Sequence, residues 1–218
     1  GMPAKMSEII SIANQYGVPV IEDAAEALAA NINGKPCGSF GTFGVLSFNG
    51  NKTLTTGGGG AILTNNEALA RHAKHLTTTA KLNHKWEYNH DQLGYNFRLP
   101  NLNAAFACAQ MEMLEKYISS KRELAEDYIN FFKSENNIIF KKEPINTRSN
   151  YWLNTILFQS IIERDSFLEF SSKNQINSRP AWKLMTSLDM YKNCLKTDIP
   201  NAIFIENRAV NIPSSVRL

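Results

Sequence analysis

Val18-Pro19-Val20-Ile21-Glu22-Asp23 is a short apolar run, largely β-branched, that ends on two acids. Apolar residues on both faces suit a strand buried in a parallel sheet, and the stop at Glu22-Asp23 marks its carboxyl end. Upstream, Ser7 is placed to cap a helix carrying Ile9, Ile10, Ile12 and Ala13 near helical spacing, with Gly17 and Pro19 ending it. Downstream, Asn31 to Pro36 is turn-rich. Gly44 to Phe48 and Gly60 to Thr64 read as two further apolar strands, the second leading into a helix capped at Asn65 or Asn66. Helices alternating with buried strands predict an α/β layer architecture.

The pattern then changes twice. Between Asn103 and Phe132 the apolar positions Leu114, Tyr117, Ile118, Leu124, Tyr128 and Phe131 keep helical spacing, which predicts one long helix or two joined near Ser119-Ser120. After Pro144 come a predicted strand from Trp152 to Phe158, a helix from Glu163 to Ser171 and a polar loop before Arg179-Pro180. The expected division is therefore a larger domain over 1–133, including the connecting helix, and a smaller α+β domain over 134–218.

At 218 residues and 43% hydrophobic content the chain is long enough to bury a substantial core. Its net charge of +3 gives no electrostatic reason to expect nucleic acid or an anionic membrane as partner. Cys37, Cys108 and Cys194 are far apart and form no C-x-x-C pair, so they are expected as buried thiols in a reducing compartment. No apolar run reaches the ~18 residues of a membrane span, and the N-terminus lacks the order of a secretory signal, so a cytoplasmic location is expected.

Chemistry concentrates in Ser47-Phe-Asn-Gly-Asn-Lys-Thr-Leu-Thr-Thr-Gly-Gly-Gly-Gly60. Lys52 is a candidate phosphate-cradling lysine, a candidate Schiff-base lysine, or a surface residue on a flexible loop. The Walker pattern puts its lysine after the last glycine and opens a helix there, whereas Lys52 precedes the glycines and a strand follows them. Asp23 closes a strand, and in open α/β sheets ligands bind at the carboxyl ends of strands. Ser47 falls near the end of the next strand, so an acid, a hydroxyl and a lysine could converge on one crevice. The bland reading is equally simple: a helix-capping Asp, a Ser satisfied by backbone and a solvated Lys. His72, His75, His84 and His90 have no acid or Cys completing a metal set, and no metal is expected.

Four blocks carry a family resemblance: Ile21-Glu-Asp-Ala-Ala-Glu-Ala27, Gly41 to Lys52, Gly57-Gly-Gly-Gly-Ala-Ile-Leu-Thr64, and Gly94-Tyr-Asn-Phe-Arg-Leu-Pro-Asn-Leu-Asn-Ala-Ala105. In this order they resemble the DegT/StrS-type sugar aminotransferases, fold-type I enzymes that use pyridoxal 5'-phosphate (PLP). His75 to Lys81, with His90 to Asn96, is similar to the branch that aminates 4-keto-6-deoxy nucleotide sugars of bacillosamine or legionaminic type.

The resemblance implies part of a large domain with a mainly parallel sheet flanked by helices, followed by a smaller α+β domain. It implies that Lys52 forms the Schiff base with PLP, that Asp23 pairs with the pyridine nitrogen and that Ser47 donates to the cofactor phosphate. Asn96 would reach the phosphate in a neighbouring subunit, which makes the active unit a homodimer. Glu26 stands beside the ring where the family commonly has Gln; a carboxylate cannot donate a hydrogen bond unless protonated. Arg179, Pro180 and Trp182 match a segment that lies near the substrate. Glutamate would supply the amino group and a nucleotide-linked keto sugar would accept it. The family fold also carries an N-terminal part with a glycine-threonine phosphate loop and a ring-stacking aromatic. This chain is expected to lack that part and a short C-terminal tail, and the alternative reading is an inactive remnant serving as a non-enzymatic dimer or interaction module.

Overall fold

A computed structural model describes residues 1–217. In chain order it contains α1 (Met6–Gln15), β1 (Ile21–Asp23), β2 (Asn31–Ile32), β3 (Lys35–Pro36), β4 (Phe43–Ser47), β5 (Gly60–Leu63), α2 (Glu67–Thr77), α3 (Asn101–Glu112) and α4 (Leu114–Phe132). There follow β6 (Ile138–Phe140), β7 (Thr147–Arg148), β8 (Asn154–Phe158), α5 (Ile161–Lys173), β9 (Arg179–Pro180), α6 (Pro200–Glu206) and β10 (Ala209–Ile212). Two compact units result: one joins 1–118 to 143–152, the other 119–142 to 153–218. The chain thus passes from one unit to the other inside α4, where the sequence suggests a single crossing after 133.

The first unit is built on the sheet β1-β4-β5. β1 runs parallel to β4, with Asp23 opposite Val45, and β5 returns antiparallel, with Ile62 opposite Val45. Because side chains alternate along a strand, Ile21, Asp23, Val45, Ser47 and Ile62 share one face. That face is open: Ile21 is 67% exposed and Ile62 52%. The expectation that Val18 to Ile21 is buried on both sides is therefore corrected. Pro19 has no N–H for a ladder, and the strand forms two residues later.

On the opposite face Glu22 is buried and accepts backbone N–H bonds from Gly38 (2.8 Å), Phe40 (2.5 Å) and Gly41 (2.6 Å). A carboxylate without a cation is tolerable there because three donors replace its water. Gly44, on β4 beside Glu22, lets this loop press close, since an added Cβ would overlap the Gly38 carbonyl oxygen. A separate small sheet, β3-β2-β7, ties residues 147–148 to the first unit.

Helix boundaries follow local chemistry. α1 begins at Met6, so Ser7 lies in its first turn and does not cap it. Asn66 caps α2 by accepting from Leu69 N (3.1 Å). The long helical stretch breaks at Met113, between α3 and α4, and not at Ser119-Ser120.

The second unit carries the antiparallel sheet β6-β8-β10-β9. Ile156 and Val210 are fully buried, with Phe140, Phe158, Ala209 and Ile212 around them. Ser160 caps α5 by accepting from Glu163 N (3.2 Å). β8 starts at Asn154 and not at Trp152, because Tyr151 adopts a left-handed backbone with φ +44° that no strand accommodates.

The cysteines also depart from expectation. Cys108 and Cys194 are exposed and only Cys37 is half-buried, where burial and then the Glu22 carboxylate push its thiol above the ordinary value. Cys108 lies on α3, none of whose residues is buried. No described helix is long and apolar enough to cross a membrane.

Candidate active site

The candidate site lies at the carboxyl rim of the first unit's sheet. Asp23 ends β1, is exposed, and accepts from Ala25 N (3.2 Å), so its carboxylate is positioned by the turn that leaves the strand. Ser47 ends β4 on the same face; its half-buried hydroxyl accepts from Asn49 N (3.3 Å). Beyond it the chain turns tightly, with Lys52 N bonded to Asn49 O (3.1 Å). Thr56 N returns to Phe48 O (2.9 Å), closing the loop that carries the lysine.

Lys52 turns inward. Its side chain is 14% exposed and its Nζ is paired with the Glu26 carboxylate, which is 34% exposed. The Trp152 ring lies on another side of the amine, with its centroid 4.9 Å from Nζ. The lysine is therefore neither a solvated surface residue nor a residue at the end of a glycine loop. It is a largely desolvated cation held between a carboxylate and an indole.

The structure brings together Lys52 and Glu26 directly, and sets Asp23 and Ser47 on adjacent strand ends of one face. Asn96 is elsewhere in the first unit: it forms a bridge with Thr78, is exposed, and accepts from Arg98 (2.9 Å). Arg179 and Trp182 belong to the second unit, and both are exposed. Arg179 lies on β9 opposite Asn211 and donates to Ser178 O (2.9 Å).

A cavity of about 800 Å³ opens beside this rim on the first unit, lined among others by Val45, Ile62, Lys74, Arg98 and Asn103. None of Asp23, Glu26, Ser47 or Lys52 lines it. Its walls are mainly apolar, and it is wide enough for a drug-sized molecule. The titratable groups that define chemistry are at the rim, and the rim is the better candidate.

Sequence reasoning missed the residues that hold the lysine from outside. Asn150 and Trp152 contact segments about a hundred positions earlier, and no local pattern marks that pairing. Glu22 was visible only as the neighbour of Asp23.

An open α/β sheet with an acid, a hydroxyl and a desolvated amine at its carboxyl rim is the frame of a ligand-binding α/β enzyme. The sequence profile of the DegT/DnrJ/EryC1/StrS aminotransferase family matches residues 1–218. The chain belongs to that family. EpsN of Bacillus subtilis (strain 168) is 36% identical over 195 residues, which cover 89% of this chain and 50% of EpsN. GDP-perosamine synthase of Escherichia coli O157:H7 is 34% identical over 98% of this chain and 58% of its own length. The structure of E. coli GDP-4-keto-6-deoxy-D-mannose-3-dehydratase with bound hydrated PLP superposes with a TM-score of 0.88 at 20% identity, covering 99% of this chain and 61% of the other. That likeness shows the fold. The chain spans between half and two thirds of the length of these relatives.

Proposed function

We propose that the protein is an aminotransferase that moves an amino group from glutamate, by way of PLP, to the 4-keto group of a nucleotide-linked 4-keto-6-deoxy sugar. The setting would be cytoplasmic, in bacterial surface-polysaccharide or glycan biosynthesis. The observation that carries the reading is the inward-turned Lys52, desolvated and facing Glu26 at the rim that also carries Asp23 and Ser47.

The donor set suits the cofactor: an amine for the aldehyde, a carboxylate for the ring nitrogen and a hydroxyl for the phosphate. When bound, PLP supplies an aldehyde that takes up an amino group and a ring that withdraws electrons from the substrate carbon. Lys52 would hold the cofactor's aldehyde end through Nζ, and its free amine would serve as the base that carries a proton at Nζ. Asp23 would pair with the ring nitrogen and keep it protonated through a charge-assisted hydrogen bond. Ser47 would donate from Oγ to the phosphate.

Glu26 is the resting partner of Lys52. Its carboxylate faces the amine in a partly dry site. The Asn96 of a second subunit completes the phosphate site, so the active form is a homodimer, and Arg179 and Trp182 contact the sugar substrate. The desolvated environment of the amine supports this assignment over the solvated one.

The test is direct. PLP-loaded protein incubated with glutamate should form 2-oxoglutarate in an amount equal to bound PLP, and a nucleotide-linked 4-keto sugar should make the reaction catalytic. Lys52→Ala should abolish both. No PLP uptake and no 2-oxoglutarate would leave the non-enzymatic remnant as the reading.

A further inference from the structure

The geometry points to residues 150–152 as a strap that positions Lys52 and Glu26, with Asn150 as its anchor; the inference rests on Lys52 being the residue that holds PLP. Asn150 is completely buried and contacts both segments on which the pair is carried. Its Nδ2 donates to Glu26 O (2.9 Å) and Leu28 O (2.8 Å), and lies 3.4 Å from Thr53 Oγ1. Its Oδ1 accepts from Trp152 N (2.9 Å). Trp152 then donates from Nε1 to Asn51 O (2.7 Å) while its ring faces the Lys52 ammonium.

One short stretch therefore grips the peptide of Glu26 and both neighbours of Lys52, across separations of 97 to 124 residues. Neither side chain of the pair could hold its mate in register unaided, because both sit on loops beyond the strand ends. An Asn is suited to the anchor: it offers two N–H donors to two carbonyls and one acceptor, and all three functions are used.

The backbone between the two strap residues gives a second observation. Tyr151 holds φ +44°, in the left-handed region that a bulky residue rarely adopts. The surroundings enforce it: Tyr151 is 3% exposed, its N donates to Ser149 Oγ (3.0 Å) and its hydroxyl accepts from Glu143 N (3.3 Å). This kink interrupts extended backbone and turns Asn150 and Trp152 toward the lysine-bearing loop. Strain maintained by so many contacts beside a desolvated amine is characteristic of a positioning device.

The experiment uses the protein expressed from its natural reading frame, incubated with PLP and reduced with borohydride. Peptide mapping then gives the ratio of phosphopyridoxyl label on Lys52 to label on the other lysines. Asn150→Asp keeps the side chain's size and its acceptor but loses both donors; Asn150→Ala loses all three functions. Each should lower the Lys52 ratio by about tenfold, and Trp152→Phe, which keeps a ring but loses the bond to Asn51, by about threefold. Val210→Ala, a buried change on β10 of the second unit's sheet, should leave the ratio at the parent value even when compared at equal distance from its urea midpoint.

A folded Asn150→Asp or Trp152→Phe protein that keeps the parent ratio overturns the strap. If the Asn150 variants fail to fold, Trp152→Phe decides alone. A parent protein that shows no preference for Lys52 refutes the cofactor assignment itself, so the two failures are distinguishable.

Discussion

The two sheets of this molecule are stabilised differently. In the second unit β8 alternates buried and half-buried side chains, and Phe140, Ile156, Phe158 and Val210 supply an apolar core. In the first unit's sheet β1-β4-β5 the buried strand residues are Glu22 and Gly44, and Glu22 is held by three backbone N–H groups of a loop, while the enclosed apolar residues Leu54 and Ile118 lie off the sheet. One sheet is held mainly by packing, the other mainly by directed hydrogen bonds to loops. The difference follows from use, since a site must fix loop residues at defined positions, and hydrogen bonds fix direction where packing fixes only volume.

The comparison can be broken at either end. Ile156→Ala should give the largest loss, about 2–5 kcal/mol, because the surrounding strands cannot collapse onto the vacated space. A urea titration measures it, and a loss under 1 kcal/mol would mean that the second sheet is not packing-driven. Glu22→Ala should follow with about 3 kcal/mol, since three backbone donors lose their acceptor and the smaller side chain admits little water. Glu22→Gln should recover part of this, and hydrogen exchange at Gly38 to Gly41 should rise in both variants.

Lys121 sharpens the contrast from the second unit. It is 5% exposed, its Nζ donates to Ser214 O, and burial lowers its pKa from 10.5 to about 8. Below pH 8 the amine is charged in folded and unfolded chains alike, and the cost of burying it is constant. Between about 8 and 10.5 the unfolded chain keeps a proton that the folded chain has released, so stability rises with pH across that window. The gain is about 3 kcal/mol at most, at about 1.4 kcal/mol per unit of pKa. Lys121→Met should remove the rise, and a flat pH profile in the parent would contradict it.

Small effects belong to the open face. Val45→Thr and Ile62→Thr should each change stability by about 0.5 kcal/mol or less, because both side chains already meet solvent. A loss near 2 kcal/mol would show that this face is covered in solution. Least of all, Asp91→Asn should act only locally. His75 donates from Nε2 to Asp91 Oδ1 (2.6 Å), and this hydrogen bond lowers the exposed carboxyl's pKa. Its contribution is therefore present at neutral pH and lost as pH falls through the lowered value, and exchange of the amides in 81–96 should report it.

How much of this was readable in the sequence differs between the two sheets. β4, β5 and α2 stand within a residue or two of their expected positions, because their signals are local: a β-branched run, a glycine edge, an Asn cap. Asp23 and Ser47 stand out by their places at strand ends and Lys52 by its place between an apolar run and four glycines; in the structure Asp23 and Ser47 end adjacent strands and Lys52 lies on the loop that follows Ser47. What could not be read was tertiary. The break at Met113 has no Gly or Pro to mark it, and the strand beginning at Asn154 depends on a left-handed Tyr151 that only distant contacts maintain. Glu26 illustrates the limit well: the sequence showed an acid in a place commonly held by Gln, but not that the acid meets the lysine. Cys108 illustrates the same limit, since its exposure depends on which face of α3 remains uncovered.

The central claim is that the amine of Lys52, at the rim of the first sheet, is the group that takes the cofactor. The most direct measurement is borohydride reduction of PLP-loaded protein followed by peptide mapping, with Lys52→Ala alongside. The account predicts one dominant phosphopyridoxyl site, on the peptide containing Lys52, together with a protein-bound PLP absorbance that Lys52→Ala abolishes. Label spread over surface lysines, or an unchanged absorbance in Lys52→Ala, would contradict it.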